Sequence, residues 1–539
     1  MTLPHDIEAN PHPHPHSLPH SATTTAAPST MPSSPTSTLK RIRSPEQERR
    51  VRGEVPIELV GAILEKTDAF VVTFDSEADP RNPQNWSLTK KVLQTVLITL
   101  ATLWAGIGSA VLSGTSSQIA ERFHVGSVVA ELANSMFVFG FAFGPQVFGP
   151  LSEVLGRKWP LVLGIFLGTM FSIQTAGAGN LATIMLGRFM GGVFGAAPYA
   201  IGGGWFHDVY DAIHVQAGVA FFAVATAGGP ALGPLIGAGL ATMSDTYGWR
   251  WPEWFMVAFG VLVTTLLTLF MDEAYAPAIL KKAAANRRRE TGNWAWHAEL
   301  DTITLSPRDI VVRYILRPVR MLFTEPMLLV ITVYMSFVYA LLYMLMGAVP
   351  IIFGEYRGMG PFVSVAPFFA VFVGILFGGA FIILDMKRYE RVVEASGGED
   401  AVPEQRFFPM GLGACLLPIG LFWFAFTGPA LVSSPWPSII ALSFSMCGMV
   451  LIFECGIIYL IDMYRSFANS AIAANTLLRS VFGGAFPLFT TGMVHNLGWQ
   501  GTWSMVLLAF LALVLAPIPL VFFHTGARIR SYSKFKPEL

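Results

Sequence analysis

Residues 149–158 read Gly149-Pro150-Leu151-Ser152-Glu153-Val154-Leu155-Gly156-Arg157-Lys158, a charged turn between two long apolar runs. Glycine lets the chain turn where a side chain would clash, and Gly156 sits where a helix would end. Glu153 and Arg157 are four residues apart, a spacing at which opposite charges can meet on a helix or reach a neighbouring helix end. A hinged, charged turn of this kind suits a gate in a bundle that moves. The plainer reading is a basic loop that only anchors the orientation of the chain in a bilayer.

The rest of the chain supplies the membrane. Of 539 residues, 53% are hydrophobic and 13% charged, there are 42 Phe, and mean hydropathy is +0.54. A soluble chain of this size carries far more charged surface. Apolar runs long enough to cross a hydrocarbon core of about 30 Å as helices occur about twelve times. They cover 92–112, 128–148, 161–178, 182–203, 215–240, 254–271, 327–352, 362–384, 410–426, 437–461, 472–494 and 502–523. The expected fold is therefore an all-α integral membrane protein, its helices arranged as two six-helix bundles either side of a long loop. The expected divisions are an N-terminal tail (1–89), a first bundle (90–271), a central loop (272–324), a second bundle (325–523) and a C-terminal tail (524–539).

Basic residues set the orientation. Of the 35 Lys and Arg, only Arg122, Arg250 and Arg357 fall in connections on one side, while 20 fall on the other and ten more in the N-terminal tail. Positive residues favour the cytoplasmic side, which places both termini there. The expected address is the plasma membrane, with the vacuolar membrane as the alternative. Formal net charge is zero, so charge gives no reason to expect a nucleic-acid partner. The expected partners are a small-molecule substrate, protons and the lipid bilayer, and the expected state is a monomer.

Residues 1–55 are rich in Pro, Ser, Thr and His and read as disordered; the alternation from Pro11 to His16 reads as low complexity before it reads as a metal site. No signal peptide is visible, so the first span serves as the targeting signal. Asn85-Trp86-Ser87 matches a glycosylation sequon, but a cytoplasmic position voids it. Cys415, Cys447 and Cys455 all fall in spans and read as small packing residues. Nucleophile elbows, HExxH, phosphate loops and paired carboxylates are missing, so neither an enzyme, a cofactor nor a metal is expected.

Two arginines fall inside the spans, Arg188 and Arg479. A charge there is costly unless it faces a cavity or a partner, although Arg188 is close enough to its span's start to snorkel. Glu454 reads as the only acid deep in the hydrocarbon; a carboxyl in such a place can take up and release a proton near neutral pH, attract a cation, or pair structurally with Arg479. Glu131, near the start of the second span, is a weaker, interfacial candidate. Span five holds Gly228-Gly229-Pro230-Ala231-Leu232-Gly233-Pro234-Leu235-Ile236-Gly237, dense enough in glycine and proline for a bend and a close helix approach. Trp104, Tyr334, Tyr339 and Tyr343 are candidates to line an aromatic cavity, or else filler facing lipid.

From Asp79 to Arg530 the chain resembles the major facilitator superfamily, in particular the twelve-span drug:proton antiporters of fungi. Gly149–Lys158 resembles that family's signature between spans two and three, Arg188 with Gly191–Pro198 its span-four motif, and Gly228–Gly237 the span-five motif of antiporters. Stretches such as Leu322-Phe323-Thr324-Glu325-Pro326 and Ala473-Ala474-Asn475-Thr476-Leu477-Leu478-Arg479-Ser480 are similar to fungal polyamine and multidrug exporters. The resemblance implies alternating access by two rocking bundles coupled to inward proton flow. It further implies that Gly149, Glu153, Gly156, Arg157 and Lys158 form the cytoplasmic gate and that Arg188 couples protons, with Arg479, Glu131 and Glu454 as further proton or substrate groups. Gly229, Pro230, Gly233, Pro234 and Gly237 would control closure. Gly347 stands where polyamine-type relatives often carry an acid. The expected activity is proton-coupled efflux of an amphipathic organic compound, foremost a metabolite or toxin the cell makes itself. Polyamine or broad multidrug export is the alternative, and an importer or nutrient sensor a more distant one.

Overall fold

Helices account for nearly all the regular structure, as a bilayer requires when every backbone polar group must be satisfied within the chain. The computed structural model describes residues 70–210, 215–244, 247–302, 307–395, 403–429, 432–464 and 467–530. The run Pro11–His16, residues 211–214 and the end of the C-terminal tail lie outside these. Among the described residues eleven helices are long and apolar enough to cross a membrane, and a bent pair makes a twelfth. The first six are α1 (Leu88–Phe123), α2 (Ser127–Leu155), α3 (Lys158–Ala176), α4 (Leu181–Val209), α5 (Phe221–Ala241) and α6 (Arg250–Phe270). The second six are α7 (Pro326–Tyr356), α8 (Pro361–Val392), α9 (Glu404–Thr427), α10 (Trp436–Tyr464), α11 (Ala468–Ala485 with Pro487–Asn496) and α12 (Trp499–Gly526). The 40° break in α11 falls at Pro487, whose missing N–H and ring clash interrupt the helical ladder.

Each apolar window read from the sequence falls on one of these helices, although 161–178, 215–240 and 254–271 overrun its bounds. Most helices run further than their windows at the end carrying Glu153 and Arg157, called the basic end here, because polar side chains can carry a helix into the interface. The predicted tail is partly built into that end. Val72 donates its N–H to the His297 carbonyl at 2.9 Å, and Asn85 Nδ2 donates to the carbonyls of Glu77 (2.6 Å) and Asp79 (3.0 Å). Hydrogen bonds from Arg81 hold the Asp79 carboxyl well below the usual carboxylate range. Lys90 pairs with Asp272 at 2.6 Å, which ties the start of α1 to the end of α6.

Two hydrophobic cores lie one after the other along the sequence. The first runs from Leu97 to Ala274 around Trp104, Phe137, Trp205 and Trp249. The second runs mainly from Met321 to Phe522 and takes in Ala110, Val138, Ala231, Leu235 and Ala238 of the first half, so the halves share apolar contact at the far end. In α1 and α7, 78% of the most apolar window is buried, against 28% in α6 and 33% in α12, so the former are central and the latter face lipid.

The glycine-proline stretch forms an uninterrupted helix, Val215–Ala241, and its glycines act through close approach. Gly229, Gly233 and Gly237 recur every fourth residue and therefore form one stripe, which lies on α1. A Cβ at Gly229 would stand 2.7 Å from the Gly106 Cα, and one at Gly233 would stand 2.9 Å from the Ala110 carbonyl carbon; both neighbours are backbone and cannot swing aside. Gly233→Leu should therefore lower the melting temperature of the purified protein and abolish its surface expression or transport. Gly179→Ala, where an added Cβ meets nothing within 4 Å, should leave both unchanged. A stable, active Gly233→Leu protein in the same thermal-shift and flux assays would refute the close-approach account.

Candidate functional site

The quoted turn is held by long-range partners. Its Gly156 adopts φ 89° and ψ 177°, a conformation open essentially only to glycine, and a Cβ there would stand 2.5 Å from the Glu273 carboxyl carbon. Glu273, just beyond α6, fills that space and caps α3, accepting from the backbone N–H groups of Arg157 (2.7 Å) and Lys158 (3.1 Å). A carboxylate at a helix N-terminus satisfies orphan donors and complements the dipole. The Arg157 side chain pairs with Asp208 at the end of α4 (2.8 Å), donates to Ser152 Oγ of α2 (2.9 Å) and covers the Tyr275 ring at 4.7 Å.

Glu153 and Arg157, read as candidates to pair with each other or with a helix end, take separate partners. Glu153 accepts from the Tyr314 hydroxyl and from Asn469 Nδ2 at 3.0 Å, so it bridges the first half to the central segment and to the start of α11. Burial and the Glu153 carboxylate raise the Tyr314 phenol above its ordinary range, which keeps it a donor. Gly149 has open space where a Cβ would project.

The second half repeats the pattern without repeating the sequence. Arg406, at the start of α9, pairs with Asp462 near the end of α10 at 3.1 Å, as Arg157 before α3 pairs with Asp208 near the end of α4. In α8, Arg388 Nε donates to Asp385 Oδ1 at 2.5 Å, and its other nitrogens reach the Gln405 side chain and carbonyl.

Arg188 does not snorkel. It is 2% exposed, donates to Glu253 Oε1 at 3.0 Å and to the Ala133 carbonyl at 3.2 Å, and lies 4.5 Å above the Phe137 ring. Its partner corrects the reading of Glu454 as the sole deep acid: Glu253, in the first turn of α6, is fully buried. Glu131 is half-buried and accepts from Ser116 (2.5 Å) and Asn134 (3.5 Å).

A cavity of about 670 Å³ lies between the halves. Its deep end is formed by Glu454 of α10 and Arg479 of α11, with Tyr199, Phe222 and Phe453 on its walls. It reaches the basic end, where Glu153 and Arg157 line it beside the exposed His207 and Asn469. At the other end the halves are latched by the buried Tyr343 hydroxyl, which donates to Ser109 Oγ of α1 at 2.7 Å and is backed, on its own helix, by the Tyr339 hydroxyl at 3.2 Å. Glu454 and Arg479, both 7% exposed, make no ion pair within 4 Å among the described residues, so the structural pairing considered for them is not formed.

None of the four aromatic candidates lines the cavity. Trp104 is fully buried in the first core, where its Nε1 donates to the Met256 carbonyl at 2.9 Å. Tyr334 is fully buried in the second core. Both are large rings that the inward faces of α1 and α7 need for packing, and neither borders the cavity. Tyr339 and Tyr343 form the latch beyond Arg479, not the wall. The residues that sequence reasoning missed, Asp208, Glu253, Glu273, Tyr314 and Asn469, are mostly polar groups at helix ends. Among the described residues no cluster of His, Cys, Asp and Glu could hold a metal ion.

The buried ion pair predicts a measurable asymmetry. Arg188→Ala leaves Glu253 buried and unpaired, at a cost of about 3–5 kcal/mol, so melting temperature and surface level should fall together. Arg188→Met combined with Glu253→Leu should recover stability in a thermal-shift assay, because apolar isosteres replace both charges, without recovering transport. A double variant that also transports at the wild-type rate would reduce the pair to packing.

Comparison with known proteins places this geometry in context. A family model described as Major Facilitator Superfamily matches residues 98–487. The chain is 38% identical over 479 residues to an efflux pump, bik6, of Gibberella fujikuroi, covering 88% of this chain and 98% of that one. It is 38% identical over 473 residues to the citrinin biosynthesis cluster transporter mrr1 of Monascus ruber, covering 87% and 93%. Among solved structures, a D-xylose-proton symporter superposes with a TM-score of 0.56 at 16% identity, covering 83% of this chain and 98% of that one, a likeness of fold alone.

Proposed function

The chain belongs to the major facilitator superfamily, as a multi-pass membrane transporter and not an enzyme, and on that premise we propose that it carries out proton-coupled efflux of an amphipathic organic compound made by the cell itself. The observation that carries this reading is the cavity of about 670 Å³ between the halves, latched at the far end and lined at its depth by an acid that makes no hydrogen bond or ion pair among the described residues. Its size is that of a drug-sized ligand site, and its walls mix aromatic and aliphatic side chains with a few convergent polar groups, as such sites do. The relation to transporters named as an efflux pump and as part of a biosynthesis cluster supports export of a self-made compound.

In this reading the basic end faces the cytoplasm of a plasma-membrane protein, because the excess of Lys and Arg lies there. Substrate enters past His207 and Asn469. Rocking of the two halves then breaks the Tyr343–Ser109 latch while Glu153 and Arg157 hold the basic end shut, which opens the cavity to the other side. Glu454 carries the coupled proton, since its carboxyl borders the cavity and meets no cation at ion-pair distance among the described residues. Arg188 with Glu253, and the α5 glycine stripe on α1, keep the first half rigid as it moves.

Metabolite profiling of cells and medium, with and without the gene, tests the activity. One endogenous compound retained in the deletion strain, with unchanged tolerance of spermidine and azoles, is the expected result; sensitivity to those agents with unchanged metabolites would assign polyamine or multidrug export instead. Glu454→Gln should uncouple export of the retained compound from the pH gradient. Undiminished pH-gradient dependence in that variant would remove Glu454 from the proton path.

A further inference from the structure

Arg479 is the exception among the buried and largely buried arginines described around the cavity. Arg157, Arg188 and Arg406 each meet a carboxylate within 3.1 Å. Arg479 is as nearly buried and meets none among the described residues; its Nε has no hydrogen-bond partner, and its guanidinium lies 4.9 Å from the centre of the Tyr339 ring and 4.8 Å from that of Phe453. Aromatic faces attract a cation but do not neutralise it. A guanidinium cannot shed its proton, so a buried one needs an anion to balance it. The cavity in front of it is the place from which that anion can come.

We infer that the exported compound carries an acidic group, a carboxylate or phenolate on an aromatic or conjugated frame, and that this group seats on Arg479. The inference rests on the cavity being the efflux site. Charge counting separates it from a cation site. With Glu454 ionised, the deep end sums to zero; with Glu454 protonated, it sums to plus one. Neither state is negative, so neither prefers a cation to a neutral compound of the same shape. Only the protonated state leaves Arg479 wholly available to an anion. Anion and proton therefore load together, each strengthening the binding of the other. The loaded cavity is neutral, the cheapest state in which to bury charge.

The surrounding groups do not disturb this count. Arg157 and Arg406 are balanced by Asp208 and Asp462, and Asp385 by Arg388. Glu153 accepts from Tyr314 and Asn469 at the mouth, where His207 is exposed. Tyr199, Tyr339, Tyr343 and Tyr389 are phenols, and Cys455 is a thiol; neither type carries a positive charge at any pH. The planar Tyr339–Phe453 stack, 5.9 Å between ring centres, continues the guanidinium plane's aromatic surroundings and favours a flat substrate beside it.

Three probes that differ only in charge test the inference on the full-length protein in lipid nanodiscs: naphthoate, naphthamide and naphthylmethylammonium. Naphthoate should bind about tenfold or more tighter than the ammonium, and its affinity should rise as the buffer is made more acid. Arg479→Gln should remove that preference and leave naphthamide binding unchanged, while Arg479→Lys should keep part of it. Glu454→Gln should bind naphthoate more tightly than wild type and without pH dependence, a gain that a damaged fold cannot produce. Tighter binding of the ammonium, or naphthoate binding indifferent to Arg479→Gln, would overturn the acid assignment and leave efflux standing. Failure of all three probes to bind a protein shown to be folded would count against the cavity as the efflux site, and against this inference with it.

Discussion

The contact between Arg157 and its ring of partners holds the basic end of the first half together. One guanidinium and the backbone beside it gather α2 through Ser152, α4 through Asp208, and the segment after α6 through Glu273 and Tyr275. Gly156 is required because the Glu273 carboxyl occupies the space its side chain would take. Four helix ends thus move as one body, and a bundle that must rock needs that more than it needs any single strong bond. The same logic recurs in the second half with Arg406 and Asp462.

At the other end of the spans, two of the three arginines that break the charge asymmetry close helix ends. Arg250 donates to the Ala178 carbonyl beyond α3 at 2.7 Å, and Arg357 donates to the carbonyls of Thr427 (2.5 Å), Gly428 (2.6 Å) and Pro429 (3.0 Å) beyond α9. Cations at helix C-termini satisfy orphan carbonyls and the negative end of the dipole. Placement of charge throughout the molecule follows one rule: a charge out of water is matched by a carboxylate, a carbonyl or a helix end. Arg479 and Glu454 stand out because they face a cavity and each other without meeting.

Much of this was legible in the sequence, for a physical reason. A membrane span is a local composition, so the twelve windows could be read one at a time, and the quoted turn, Arg188, Arg479, Glu454 and the α5 glycines announced themselves as polar or small residues in apolar company. Partners are not local. Asp208 lies 51 residues from Arg157, Glu253 lies 65 from Arg188, and Glu273 lies 116 from Arg157. Glu253 was also hidden by its position one residue before an apolar window, where an acid reads as interfacial. Trp104 and Tyr334 were misread because an apolar helix has no polar face to say which side looks inward. The Arg157–Asp208 and Arg406–Asp462 correspondence was invisible because the two halves share geometry and not sequence.

The central claim is that the two halves move against each other across the Glu153–Asn469 contact in every transport cycle. With the three native cysteines replaced, a Glu153→Cys, Asn469→Cys protein can be bridged across that contact by a short, reducible bis-methanethiosulfonate reagent. The account predicts that export stops when the bridge forms and returns when it is reduced. Export that continues at its full rate through an intact bridge would contradict it.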